Sequence, residues 1–181
     1  MIEIAGAPAA SSAAPNTATN TAANGANGAA KERGWTAADA AGAAFPQVGA
    51  LQRTCLSVLR GDWTTVALVA TDPSAPVRPL ADALADVSRA YRLRPLRVLD
   101  GAGASPAQVA RLQDELSADR GEGRVAIAVG DLRTSPGGVP LAVQTDAVVL
   151  VVRLGASALR DVEETVELVG RERVLGCVVA R

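Results

Sequence analysis

The sequence predicts an α/β fold: a mostly parallel, five-stranded sheet with helices on both faces. Three observations carry this expectation. Short apolar, β-branched runs alternate with segments of helical period from residue 48 to the end. The runs are apolar nearly throughout, as strands covered on both faces require. Apolar residues make up 49 % of the 181, yet aromatics only 2 %, so the core must be built from Val, Leu, Ile and Ala.

Composition narrows the chemistry. The formal net charge is -1, which gives no global bias towards nucleic acid or anionic lipid. Histidine is absent, which removes the commonest general base and metal ligand. Cys55 and Cys177 are distant, lack metal-ligand spacing and sit in apolar periodic segments, where buried inert thiols are expected. No apolar run reaches the roughly 18 residues that span a bilayer. The N-terminus lacks a basic start and apolar block, so a cytoplasmic protein is expected.

Residues 1–33 are Ala, Asn, Thr, Gly, Ser and Pro without period, and read as a disordered tail: a spacer, or a tether to a partner. Residues 34–61 are a transition and a packing helix. Trp35 and Phe45 either pack on the domain edge or bind something. Val48, Leu51, Cys55 and Val58 then repeat on one helical face, and Gly61 is a helix stop.

The domain proper is expected over 62–181. Thr64 to Ala70 is the first buried strand. Pro79 sits where a first helical turn tolerates proline. Leu80, Leu84, Val87 and Tyr91 form the buried stripe of that helix, with Asp82, Asp86, Ser88 and Arg89 on its solvated face. Pro95 to Asp100 is a second strand. Ser105, Pro106 and Gln108 supply a cap, a first-turn proline and a capping-box glutamine for a helix using Val109, Leu112 and Leu116. The run 120–124 is a turn, and Val125 to Val129 a third strand. A loop follows, with one helical turn near Leu141. Asp146 opens the fourth strand. Ser157 is a helix cap, and Leu159, Val162, Val166 and Val169 line the next helix, which Gly170 ends. Val174 to Ala180 is the last strand.

Three stretches carry a family resemblance. TDAVVLVVRLGASALRDVEETVELVGRERVLGCVVAR resembles the closing strand, helix and strand of the MinD/ParA-like P-loop proteins, and within them most the CpsD/Wzc-like bacterial tyrosine-kinase cytoplasmic domain. LQRTCLSVL is similar to that family's helix before the first strand, E-A-[FY]-R-T-L-R-T-N-L. VALVATDPSAPVRPLADALA aligns without gaps with its strand, Walker A loop and helix. Together they cover about residues 48–181 and imply a three-layer P-loop-NTPase-like fold.

The departures fall on the chemistry. Where the family has Pro-Gly-Glu-Gly-Lys-Ser/Thr-Thr, this chain has Pro73, Ser74, Ala75, Pro76, Val77, Arg78 and Pro79. Both glycines that let backbone wrap a phosphate are gone, and proline removes an amide donor. Val77 replaces the lysine, and Arg78 the magnesium-binding hydroxyl. Asp100 in VLDGAG and a displaced Asp131 in VAIAVGDLRTSPGG are all that resemble the other acidic motifs. Both would lie at strand C-termini, where such sheets bind ligands, or simply cap loops. Arg78 either meets an anion at a helix N-terminus or occupies the emptied phosphate position. Of the E-x-x-R-x-x-R assembly pattern, Ala50, Arg53 and Leu56 keep one member. No tyrosine cluster closes the chain, and the single tyrosine, Tyr91, is expected to be buried.

The resemblance, with these departures, implies a pseudo-enzyme without catalytic residues, metal or cofactor. It would act as a protein partner in exopolysaccharide or capsule synthesis and export, engaging a polysaccharide co-polymerase or other membrane protein at the inner membrane. Oligomers remain open; nucleic acid and direct membrane insertion are not expected. Alternatives are an active ATPase or tyrosine autokinase using ATP and Mg with Arg78 or Arg133 for the lysine, a MinD/ParA-like positioning protein, and an unrelated Rossmann-like domain.

Overall fold

The computed structural model describes residues 48–118 and 123–180. All belong to the second of two compact units, Trp35–Arg181. The tail, Trp35, Phe45 and much of the 120–124 turn lie outside the described residues.

Five strands alternate with helices: α1 (Val48–Leu59), β1 (Thr65–Ala70), α2 (Val77–Ala90), β2 (Leu96–Asp100), α3 (Pro106–Ala118), β3 (Arg124–Val129), α4 (Val139–Gln144), β4 (Ala147–Arg153), α5 (Leu159–Val169) and β5 (Val174–Ala180). The sheet is parallel throughout, in the order β2-β3-β1-β4-β5. That order decides which face each helix covers. With β2 placed at the left edge, α2 carries the chain leftwards and α3, α4 and α5 carry it rightwards. Right-handed crossovers therefore put α2 on one face and the other three on the opposite face.

The core divides accordingly. On one face Cys55 and Leu59 of α1 and Leu80, Leu84 and Val87 of α2 pack on Val66, Leu68, Val149 and Val151. On the other, Val109 and Leu116 of α3, Leu141 of α4 and Val169 of α5 pack on Val69, Ile127 and Leu150. All six residues of β1 are buried, as expected for a central strand.

Gly61 earns its place by close packing. A Cβ there would lie 2.7 Å from Cδ1 of Trp63. The indole is buried, donates to Val58 O at 2.8 Å and carries the Arg124 guanidinium 4.4 Å above its ring. Arg124 also donates to Leu59 O and to Gly61 O, satisfying carbonyls that the end of α1 leaves open.

Several sequence expectations are corrected. Tyr91 is 52 % exposed because α2 ends at Ala90 and the period stops with it. Ser88, assigned to the solvated face, is buried and donates to Arg94 O at 2.7 Å. Leu159 is 74 % exposed: it is the first residue of α5, a turn held by polar contacts through Asp161. Cys177 is exposed because β5 is an edge strand. Cys55 is buried as expected, and burial pushes its thiol up to about 12. The single turn near Leu141 becomes a 3-10 turn, Pro136–Gly138, running into α4.

Candidate functional site

The topology opens a crevice at one place. After β1 the chain turns onto one face, and after β3 onto the other. Their C-terminal ends therefore flank the point where a sheet of this kind holds ligands. Residues 71–76 and 130–135 form its two walls.

The first wall is folded on itself. Ser74 donates through both its N–H (2.9 Å) and its hydroxyl to Asp72 Oδ1, and Ala75 N–H donates to Asp72 O. At the mouth of α2, Pro76 and Pro79 have no N–H, and Val77 N–H donates back to Ala75 O at 2.9 Å. Three of the four positions that would aim amides at an anion therefore do not.

Asp72, Thr71 and Ser157 form a second knot. The Ser157 hydroxyl donates to Asp72 Oδ2 at 2.7 Å and accepts from Arg153 N–H at 2.9 Å, while Thr71 Oγ1 lies 2.8 Å from it. Ser157 therefore does not cap α5. The N-cap is Ala158, whose N–H is reached by Asp161 Oδ2 at 3.3 Å. Burial works against the charge of Asp72. Hydrogen bonds from the Ser74 and Ser157 hydroxyls and the Ser74 N–H, with the Arg153 charge, outweigh it and hold the carboxyl below the ordinary range.

Asp131 and Arg133 fill the space between the walls. The Asp131 side chain is fully buried. It accepts from Arg133 N–H (3.0 Å), Nε (3.2 Å) and Nη2 (3.1 Å). Arg133 Nη2 also donates to Thr71 O at 3.1 Å, and Nη1 to Asp161. The guanidinium thus crosses the crevice from β3 to the end of β1 and on to α5. The Asp131 hydrogen bond, with the carboxylates around it, keeps this arginine even more firmly protonated than usual.

Arg78 lies outside this knot, half-exposed at the start of α2. Its Nε donates to Asp82 at 3.0 Å and its Nη1 to Asp100 at 3.2 Å. Asp100 also accepts from Ala102 N–H at 3.1 Å, closing the loop after β2. An open depression of about 450 Å³ lies beyond it, between Asp100, Gln108, Leu112 and Glu115, away from the β1 loop. The expected positions Pro73 to Arg78, Asp100 and Asp131 thus all lie along the strand C-termini. Asp100 pairs there with Arg78, which also holds Asp82, and Asp131 with Arg133, which also holds Asp161.

Sequence reasoning did not single out Thr71, Asp72 or Asp161, and it gave Ser157 only the role of a helix cap. Asp72 and Ser157 are 85 positions apart, and only the sheet order makes them neighbours. The dipeptide Asp72-Pro73 is the one local signal, since Asp before Pro favours a turn with a self-bonded carboxylate.

The arrangement does not fit a magnesium nucleotide. The cation the site offers, Arg133, is neutralised by two carboxylates, and the loop amides are turned inwards or missing. Among the described residues, no group of three or more carboxylate or thiol side chains could hold a metal ion. Likewise no helix among them is long and apolar enough to cross a membrane.

No protein-family model matches the chain, and no curated protein matches it. Among solved structures it is similar to the kinase domain of Escherichia coli tyrosine kinase ETK, at 10 % identity and a TM-score of 0.59, over 70 % of this chain and 71 % of that one. At that identity the likeness is one of fold: the chain has the P-loop-like α/β architecture of that domain.

Proposed function

We propose that this domain is a catalytically inactive relative of P-loop tyrosine kinases, acting by binding a protein partner in exopolysaccharide or capsule synthesis and export. The partner we assign is a polysaccharide co-polymerase or another membrane protein of the export system. The observation that carries the reading is the closed crevice. Arg133, Asp131 and Asp161 bridge it with the chain's own charges, and the loop beside it has neither glycine nor lysine. A phosphate would have to displace two carboxylates from one guanidinium and would meet Asp72 next to it.

Isothermal titration with Mg-ATP and Mg-ADP tests the reading. No binding up to millimolar nucleotide is expected, and micromolar binding overturns it. One observation favours a second reading: Arg133 does stand at the crevice, where a lysine substitute would be needed. If it is a working cation, ATP hydrolysis should be measurable and should vanish in Arg133→Ala; absence of hydrolysis in the parent protein disposes of that alternative.

A further inference from the structure

We infer that the turn between α2 and β2, at the opposite end of the sheet, is a peripheral docking site for an anionic membrane surface. The stretch Arg89-Ala90-Tyr91-Arg92-Leu93-Arg94-Pro95-Leu96-Arg97 carries four arginines and no acidic residue, in a chain whose net charge is -1. Within it, Arg92 and Arg94 differ from the arginines at the strand C-termini. Arg78 and Arg133 are closed into ion pairs, whereas no ion pair engages Arg92 or Arg94 among the described residues. Arg94 lies close enough to Arg124 to depress its basicity, after burial the largest influence on it. Arg124 in turn holds the carbonyls of Leu59 and Gly61, which brings exposed Arg60 to the same end. The nearby counter-charges are Asp62, which acts on Arg124, Asp86, paired with Arg89, and Glu115, paired with Arg97 at 3.4 Å.

The backbone supplies an independent observation. Leu93 N–H donates to Ser88 O at 2.9 Å and Arg92 N–H to Arg89 O at 3.1 Å, the double closure of a Schellman motif. Its left-handed position normally belongs to glycine. Here it is Arg92, at φ 51°, the one non-glycine residue with positive φ among the described residues. A strained arginine held where glycine would be easier points to a use for the charge.

The apolar residues decide which polyanion is meant. Tyr91 and Leu93 alternate with Arg92 and Arg94 and are 52 % and 43 % exposed. Aliphatic and aromatic side chains interleaved with arginine suit a bilayer interface, where the rings and chains enter the headgroup boundary and the guanidinium groups meet phosphates. A duplex phosphate backbone would use the arginines and leave Leu93 idle. The site is remote from the crevice, so it stands or falls separately from the reading above.

The test is flotation of the full chain with phosphatidylcholine vesicles and with vesicles containing a third phosphatidylglycerol. Binding is expected only to the anionic vesicles, falling at least tenfold in Arg92→Glu/Arg94→Glu and severalfold in Leu93→Ser or at 0.5 M salt. Arg92→Gly keeps or raises the thermal midpoint, so its loss of binding cannot be ascribed to unfolding. No anionic-vesicle binding, or binding that Arg92→Gly and the double variant leave intact, overturns the inference. So does equal affinity for duplex DNA that Leu93→Ser does not change.

Discussion

Arg133 shows how one side chain can both complete a fold and close a site. Its three guanidinium nitrogens reach Asp131, Asp161 and the carbonyl of Thr71. Removing it leaves the buried Asp131 side chain without its countercharge, with the backbone N–H of residue 133 as its remaining donor from that residue. Arg133→Ala should therefore destabilise the domain by about 3 kcal/mol, measured as a urea midpoint, because an uncompensated buried charge costs more than the pair was worth. A change below 0.5 kcal/mol would show that Asp131 is not held as described.

Asp72 gives a pH dependence of defined sign. Its folded carboxyl is held below the ordinary value, so its contribution is present above the unfolded pKa, near 3.9, and is lost as pH falls through the lower folded value. The Asp72→Asn protein should lose less stability than the parent between about pH 5 and pH 2. Equal acid sensitivity would show that the Ser74 and Ser157 bonds do not favour the charged form. The two thiols make a third contrast. Cys55, raised to about 12 in the core, should stay unmodified by a maleimide at pH 7 while exposed Cys177 reacts. Cys177→Ser should abolish native labelling; residual fast labelling would place Cys55 at the surface.

At the scale of elements, the end of α2 is the least locally consistent part of the chain. A Schellman motif with arginine at its left-handed position forgoes the ease that glycine would bring there. Arg92→Gly should raise stability by about 1 kcal/mol, read as a shift of the denaturation midpoint. A loss of similar size would mean that the Arg92 side chain makes contacts worth more than the backbone strain. The same turn accounts for the misplaced Tyr91 and Ser88. A helical period read along the sequence assumes that the helix continues, and this one stops at Ala90. The edge strands make the complementary point. β2 carries Arg97 and Asp100, charges that blunt an exposed edge, whereas β5 carries none, and its exposed Cys177 looked like a core residue for that reason.

At the scale of the whole molecule, strand order does the decisive work. It places β1 at the centre, splits the helices between the faces and creates the crevice between the ends of β1 and β3. If that crevice is closed as proposed, millimolar Mg-ATP should leave the thermal midpoint unchanged. A nucleotide present at about 100 times its dissociation constant would add about 2.7 kcal/mol of stability. A clear rise in the midpoint would therefore count against the closed site.

The sequence by itself determined the alternation of strands and helices, the aliphatic core and the absence of glycine and lysine from residues 73–79. Each of these is local: period, β-branching and side-chain identity do not depend on distant partners. The tertiary structure alone decided which side chains meet at the C-terminal ends of β1 and β3. Ser157 moved from helix cap to partner of Asp72, and Arg133 from loop residue to the bridge over Asp131, Thr71 and Asp161. The contacts of Ser157 with Asp72 and of Arg133 with Thr71 and Asp161 join residues 28 to 85 positions apart. They exist because parallel strands with crossover helices bring remote segments together at their C-terminal ends, which no local pattern encodes.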